Sequence, residues 1–151
     1  MSYRQDVEAA LEAFSVVAQL GNSTLLRHEL VVEYLDAPHR PPSRLPSGKV
    51  AVYGFWANGC WLKIGKVGSN SHARYTSQHY NPGSAPSTLA ASLRGDEAMT
   101  TIAGFDAAFP GAWIKEYTCR ANILMAADKP REMLSLLEAF LHLRLRPRYE
   151  R

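Results

Sequence analysis

The chain has 151 residues, 46% of them hydrophobic, and a net charge of +3 from 17 basic and 14 acidic side chains. That length suits one domain with a small appendage and a genuine core, and the mild charge excludes a histone-like nucleic-acid packer. No run approaches the ~18 apolar residues that span a bilayer, and Arg4, Asp6, Glu8 and Glu12 interrupt residues 1–20, where a signal peptide needs an apolar core.

A cytoplasmic protein with no membrane partner is therefore expected. Cys60 and Cys119 fall in predicted strands without metal-ligand spacing, as buried thiols in a reducing compartment would. Twelve of the basic residues are arginines, whose planar fork suits phosphate.

Residues 3–19 read as a helix, because Val7, Ala10, Leu11, Phe14, Val17 and Ala18 recur at spacings of three and four. Gly21-Asn22 stops it, and Ser23 can cap a second helix from Thr24 to Leu35. Residues 1–47 are thus expected to be an N-terminal helical hairpin with a proline-rich linker, Ala37 to Pro46, ahead of a catalytic domain over 48–151. The hairpin packs on that domain or on another subunit, as a homodimer or partner-protein interface, or lies along nucleic acid with Arg40 and Arg44.

Residues 49–57 form an apolar strand with both faces covered: Val50, Val52, Gly54 and Trp56 on one, Ala51, Tyr53 and Phe55 on the other. Asn58-Gly59 signals a tight hairpin. The return strand from Cys60 turns Leu62 and Ile64 one way, Trp61 and Lys63 the other. A glycine-serine loop follows, then a short helix, His72 to Tyr80, with Arg74 in its first turn. Ser87 or Thr88 caps another short helix through Leu93, residues 94–111 read as loop with a helical turn, and Trp113 to Met125 reads as a third strand. Asp128 caps the final helix, with Pro130 in its first turn. There Glu138 shares the stripe of Leu134, Leu137, Leu141 and Leu145. A carboxylate on an apolar stripe needs a partner, either a salt bridge or a metal ion.

Four of these features, in order, resemble the GIY-YIG nuclease superfamily. Ala51-Val52-Tyr53 matches its first motif and Lys63-Ile64-Gly65 its second, with Lys66 following; Arg74 stands where the catalytic arginine does; Glu138 and Pro147 resemble the last motif. Lys63 replaces the second-motif tyrosine, Gln78 stands where a tyrosine or histidine is common, with His79 one step on, and Tyr149-Glu150 stands where an asparagine is frequent. The resemblance implies an α/β (α+β) domain, a three-stranded, mostly antiparallel sheet flanked by helices.

It also implies a metal-dependent endonuclease that hydrolyses phosphodiester bonds in DNA, with RNA left open. Glu138 would hold one Mg2+ (or Mn2+), Arg74 the scissile phosphate, and Tyr53 would be the base or the group orienting water. Lys63 and Lys66 would favour its phenolate, and Lys66 equally suits phosphate. His79 and Tyr80 are further candidates for proton transfer or substrate contact, and Arg144 and Arg148 for phosphate contact. The rivals are a catalytically silent nucleic-acid- or protein-binding module on the same fold and a structural partner in a larger assembly.

Overall fold

The computed structural model describes residues 1–150. Helix α1, Tyr3–Leu20, starts at a capping box in which Ser2 and Gln5 satisfy each other's backbone amides, and it ends at Gly21. A 3-10 turn, Arg27–Glu29, leads into strand β1, Val31–Leu35. Strand β2, Lys49–Ala57, and strand β3, Cys60–Val67, form the hairpin, with Asn58 and Gly59 at φ 52° and 78°. Helix α2, His72–Thr76, is followed by a 3-10 turn, Gln78–Tyr80. Helix α3, Leu89–Arg94, a 3-10 turn, Glu97–Thr101, and helix α4, Pro110–Tyr117, precede strand β4, Cys119–Ala126, and helix α5, Arg131–Leu145.

The fold is mixed α/β. The sheet has four strands in the order β1-β4-β2-β3, every neighbouring pair antiparallel. Helices α1 and α5 pack on one face against Val52, Trp61, Ile64, Ala121 and Ile123. The other face carries Ala51, Tyr53, Phe55 and Leu124 under residues of α2, α3 and α4. Among the described residues no helix is long and apolar enough to cross a membrane.

Three expectations need correction. There is no N-terminal helical hairpin and the sheet is not three-stranded, because residues 31–35 are a fourth strand paired with β4. Val31, Val32 and Tyr34 are β-branched and aromatic strand formers, and the apolar positions Leu25, Leu30, Val31 and Leu35 do not by themselves choose between helix and strand. The predicted third strand is two elements. Pro110 presets helical φ at the start of α4, which buries Trp113 and Ile114, and only from Cys119 does the chain extend. The last helix begins one residue after Pro130, which occupies the capping position instead of Asp128.

A smaller correction concerns β3. Phe55 pairs with Lys63 but Trp56 pairs with Trp61, so Leu62 is a bulged extra residue. The bulge sends Leu62 to the face of Tyr53, and Ile64 to the opposite face with Trp61. Cys60, beside the turn, is exposed rather than buried.

Candidate active site at the edge of the sheet

Tyr53 is wholly buried on β2, with Asn122 of β4 on one side of it and Gly65 of β3 on the other. Its ring lies across Gly65 toward the outer edge of β3. A Cβ at residue 65 would stand 2.6 Å from the Tyr53 hydroxyl oxygen and 2.9 Å from the ring carbon that bears it. Glycine is needed here for close approach rather than for turning.

His79, from the 3-10 turn after α2, is completely buried above Tyr53. Its Nε2 lies 2.6 Å from the Tyr53 hydroxyl, and its Nδ1 accepts the Leu89 amide at 3.0 Å. That amide settles the tautomer: with Nδ1 accepting, the ring proton is on Nε2 and is donated to the Tyr53 oxygen. Burial, reinforced by the charges of Arg74, Arg120 and Lys63, pushes the His79 pKa down to about 2. His79 is thus a neutral donor at ordinary pH and takes no proton from Tyr53. The tyrosine's own hydroxyl proton is free to point elsewhere.

Burial pushes the Tyr53 pKa up to about 12, while Arg74 and Arg120 draw it down and the Glu138 carboxylate opposes them. Lys63 and Lys66 do not serve as the cations beside the phenol. The Lys63 ammonium donates to the Tyr149 carbonyl at 3.3 Å and pairs with Glu150 at 3.5 Å. Lys66 pairs with Glu138 of α5 across the edge of the sheet. Glu138 is therefore, as it stands, the carboxylate of a salt bridge, partly open to solvent.

Arg74 is half-buried on α2 and donates a long hydrogen bond of 3.4 Å to Ser87. Ser87 and Lys63 line a cleft of about 740 Å3 between α3 and the segment after α5. That segment covers part of β3: the amides of Arg148 and Tyr149 donate to the carbonyls of Trp61 and Leu62, and the Ile64 amide donates to Glu150. Among the described residues no backbone group pairs with Gly65–Val67 on this side, although Gly65 and Val67 are buried and of the three only Lys66 is partly exposed.

The remaining expected residues fall elsewhere. Tyr80 turns inward, its hydroxyl shared between His39 at 2.8 Å and Arg120 at 3.0 Å. Arg148 is held by Asp96 at 2.6 Å. Arg144 is exposed beside Asp6 and Phe140 in a groove between α1 and α5, not at the Tyr53 edge. Among the described residues no group of three or more His, Cys, Asp or Glu side chains is placed to hold a metal ion. Glu138, on the α5 face with Lys66 and near enough for its charge to oppose ionisation of Tyr53, is a single hard oxygen donor, which suits an ion that keeps most of its waters.

Arg120 and Asn122 were not anticipated. Arg120 is completely buried, and its guanidinium lies 5.0 Å from the centre of the Tyr53 ring, 5.0 Å from Phe55 and 4.9 Å from Tyr75. The available signal was two polar residues at a spacing of two in an otherwise apolar strand, which puts both on one face. Comparison with protein-family models, curated proteins and solved structures finds no match for this chain.

Proposed function

We propose that the chain is a metal-dependent endonuclease of the GIY-YIG type, acting on phosphodiester bonds of DNA. The observation that carries this reading is the cluster of Tyr53, His79 and Arg74 beside Gly65, with the Lys66–Glu138 ion pair on the neighbouring face of the same edge strand and the Glu138 charge felt at Tyr53. Gly65 leaves room for the Tyr53 hydroxyl to meet the neutral His79 donor.

Hydrolysis of such bonds needs a base, a donor for the phosphoryl oxygens and a neutralising cation. Arg74, which makes a long contact to Ser87 and bears on the Tyr53 hydroxyl, would grip the scissile phosphate with paired hydrogen bonds. Tyr53 would be the base or the group that orients water, its phenolate form stabilised by the His79 Nε2–H and the Arg74 charge. The fraction of phenolate at neutral pH is small, so the rate rises with pH. Glu138 would hold the Mg2+ or Mn2+, and Lys66, its present partner, would then be available for a phosphate contact. The ion, when bound, supplies charge neutralisation on the phosphoryl oxygen and leaving group.

The test is cleavage of plasmid and single-stranded DNA with Mg2+, with Mn2+ and with chelator, by the natural chain and by Glu138→Ala and Tyr53→Phe. Metal-dependent cutting that both substitutions abolish is expected. If the natural chain never cuts but all three proteins bind DNA equally, the silent binding module replaces this reading.

A further inference from the structure

Arg120 lies buried under the Tyr53 ring, and its contacts have a pattern. Its Nη2 donates to the Tyr75 carbonyl at 2.7 Å, its Nη1 to the Tyr80 hydroxyl at 3.0 Å, and its Nε to Asn122 Oδ1 at 2.7 Å. Tyr75 directly follows Arg74, and Tyr80 directly follows His79. One guanidinium thus grips the short segment 74–80 at both ends, one residue past each group that faces Tyr53.

The segment's other ties run from His79, to the Leu89 amide and Tyr53, and from the Tyr80 hydroxyl to His39, whereas at its Tyr75 end the Arg120 bond to the carbonyl is the short inter-segment one. Helix α2 is one turn long and lacks a side-chain cap, and the 3-10 turn behind it also lacks one. The guanidinium meets no carboxylate in any ion pair among the described residues. Its charge rests on three aromatic faces and three hydrogen-bond acceptors instead. A buried cation without an acid is expensive to keep. An apolar residue of similar volume would fill the same space, so retention for packing alone is a poor account of it.

We infer that Arg120 is a positioning residue: through the Tyr75 carbonyl and the Tyr80 hydroxyl it sets Arg74 and His79 over Tyr53. The catalytic half of this inference rests on the nuclease reading; the structural half does not. A fixed fork of donors is suited to the task, since it holds two points at a set separation. Lysine, with a single nitrogen, cannot span both.

The experiment uses Tyr80→Phe, which deletes one oxygen, and Arg120→Lys, which keeps the charge. Two quantities are read: the 15N-edited resonance of the His79 Nε2–H, and kcat and KM for plasmid cleavage with Mg2+. Both variants are expected to displace or broaden the His79 resonance. Each should lower kcat by about tenfold, as sub-ångström misplacement of reacting groups does, with KM within a factor of two. An unmoved His79 resonance in folded Tyr80→Phe overturns the inference, and so does a moved resonance with unaltered kcat. If Arg120→Lys does not fold, Tyr80→Phe is read against His39→Gln, which removes the other partner of the Tyr80 hydroxyl; a His79 resonance displaced equally by both overturns the inference. If the natural chain does not cut DNA, the nuclease reading fails, while the His79 resonance still decides whether Arg120 positions the segment.

Discussion

Replacing Gly65 by alanine tests the geometry of the site with a single methyl group. The added carbon would stand 2.6 Å from the Tyr53 oxygen, 2.9 Å from Cζ and 3.2 Å from Cε2, roughly an ångström inside van der Waals contact at its worst point. Relief requires the ring to tilt off the strand, but Tyr53 is pinned. His79 holds its oxygen at 2.6 Å, and Arg120 and Tyr75 lie against its ring. Overpacking of this kind costs about 1–3 kcal/mol, and a lost buried hydrogen bond adds about 1 kcal/mol. Ordinary strand propensity would favour alanine over glycine by about 0.5–1 kcal/mol, so the sign of the change is diagnostic. Urea denaturation of Gly65→Ala should show a loss of about 1–3 kcal/mol. Gly68→Ala, where a Cβ meets nothing within 4 Å, should be neutral or stabilising. In Tyr53→Phe the same Gly65→Ala change should cost less, because the closest atom is gone. A Gly65→Ala protein as stable as Gly68→Ala would refute the close approach of Tyr53 to β3.

Other outcomes follow from the same contacts. His79 has a folded pKa pushed down to about 2 from 6.5, so its contribution to stability is present above pH 6.5 and drains away as pH falls toward 2; at pH 4 the loss is about 3 kcal/mol, measured as the difference in urea stability between the natural chain and His79→Gln. Burial raises Tyr53 and Tyr75 to about 12, so the reverse holds in base: stability present below pH 10 is lost between 10 and 12, and thermal melts should show Tyr53→Phe losing less of it. Cleavage should rise close to tenfold per pH unit between 7 and 9 if the phenolate is the base, and a flat profile would leave Tyr53 only an orienting role. Lys66→Ala frees Glu138 from its salt bridge and should tighten Mn2+ binding severalfold by calorimetry, whereas unchanged affinity would take Glu138 out of the metal site. Glu150→Ala strands the buried Lys63 and the Ile64 amide and should cost roughly 2 kcal/mol.

The hairpin was legible because its signals are local. Asn58-Gly59 dictates a turn, and continuous apolar residues on both sides dictate a strand covered on two faces. Glu138 was legible as a carboxylate on an apolar stripe, though the stripe alone does not choose between salt bridge and metal. Its Lys66 partner lies 72 residues away in the chain, and spacing says nothing about such pairs. The fourth strand was hidden because residues 24–35 carry apolar positions compatible with either period, and only the partner strand decides. Lys63 looked catalytic from its place in a motif, yet its environment is set by Glu150, whose approach depends on where the chain travels after α5. Arg120 was missed for a related reason. A polar residue in a strand reads as a surface position until the helices over that face are known.

The order β1-β4-β2-β3 places the last strand of the chain between two strands that never touch each other. Until residues 119–126 insert, β1 and the β2–β3 hairpin share no ladder, and Arg120 is not there to hold the segment beneath which Tyr53 lies. Most of the sheet's pairing is therefore long-range and closes late, which is slow folding by nature. A growing chain displays an edge on β2 and an apolar hairpin until β4 inserts, and the α5 residue Glu138 reaches the edge strand only after the sheet is complete.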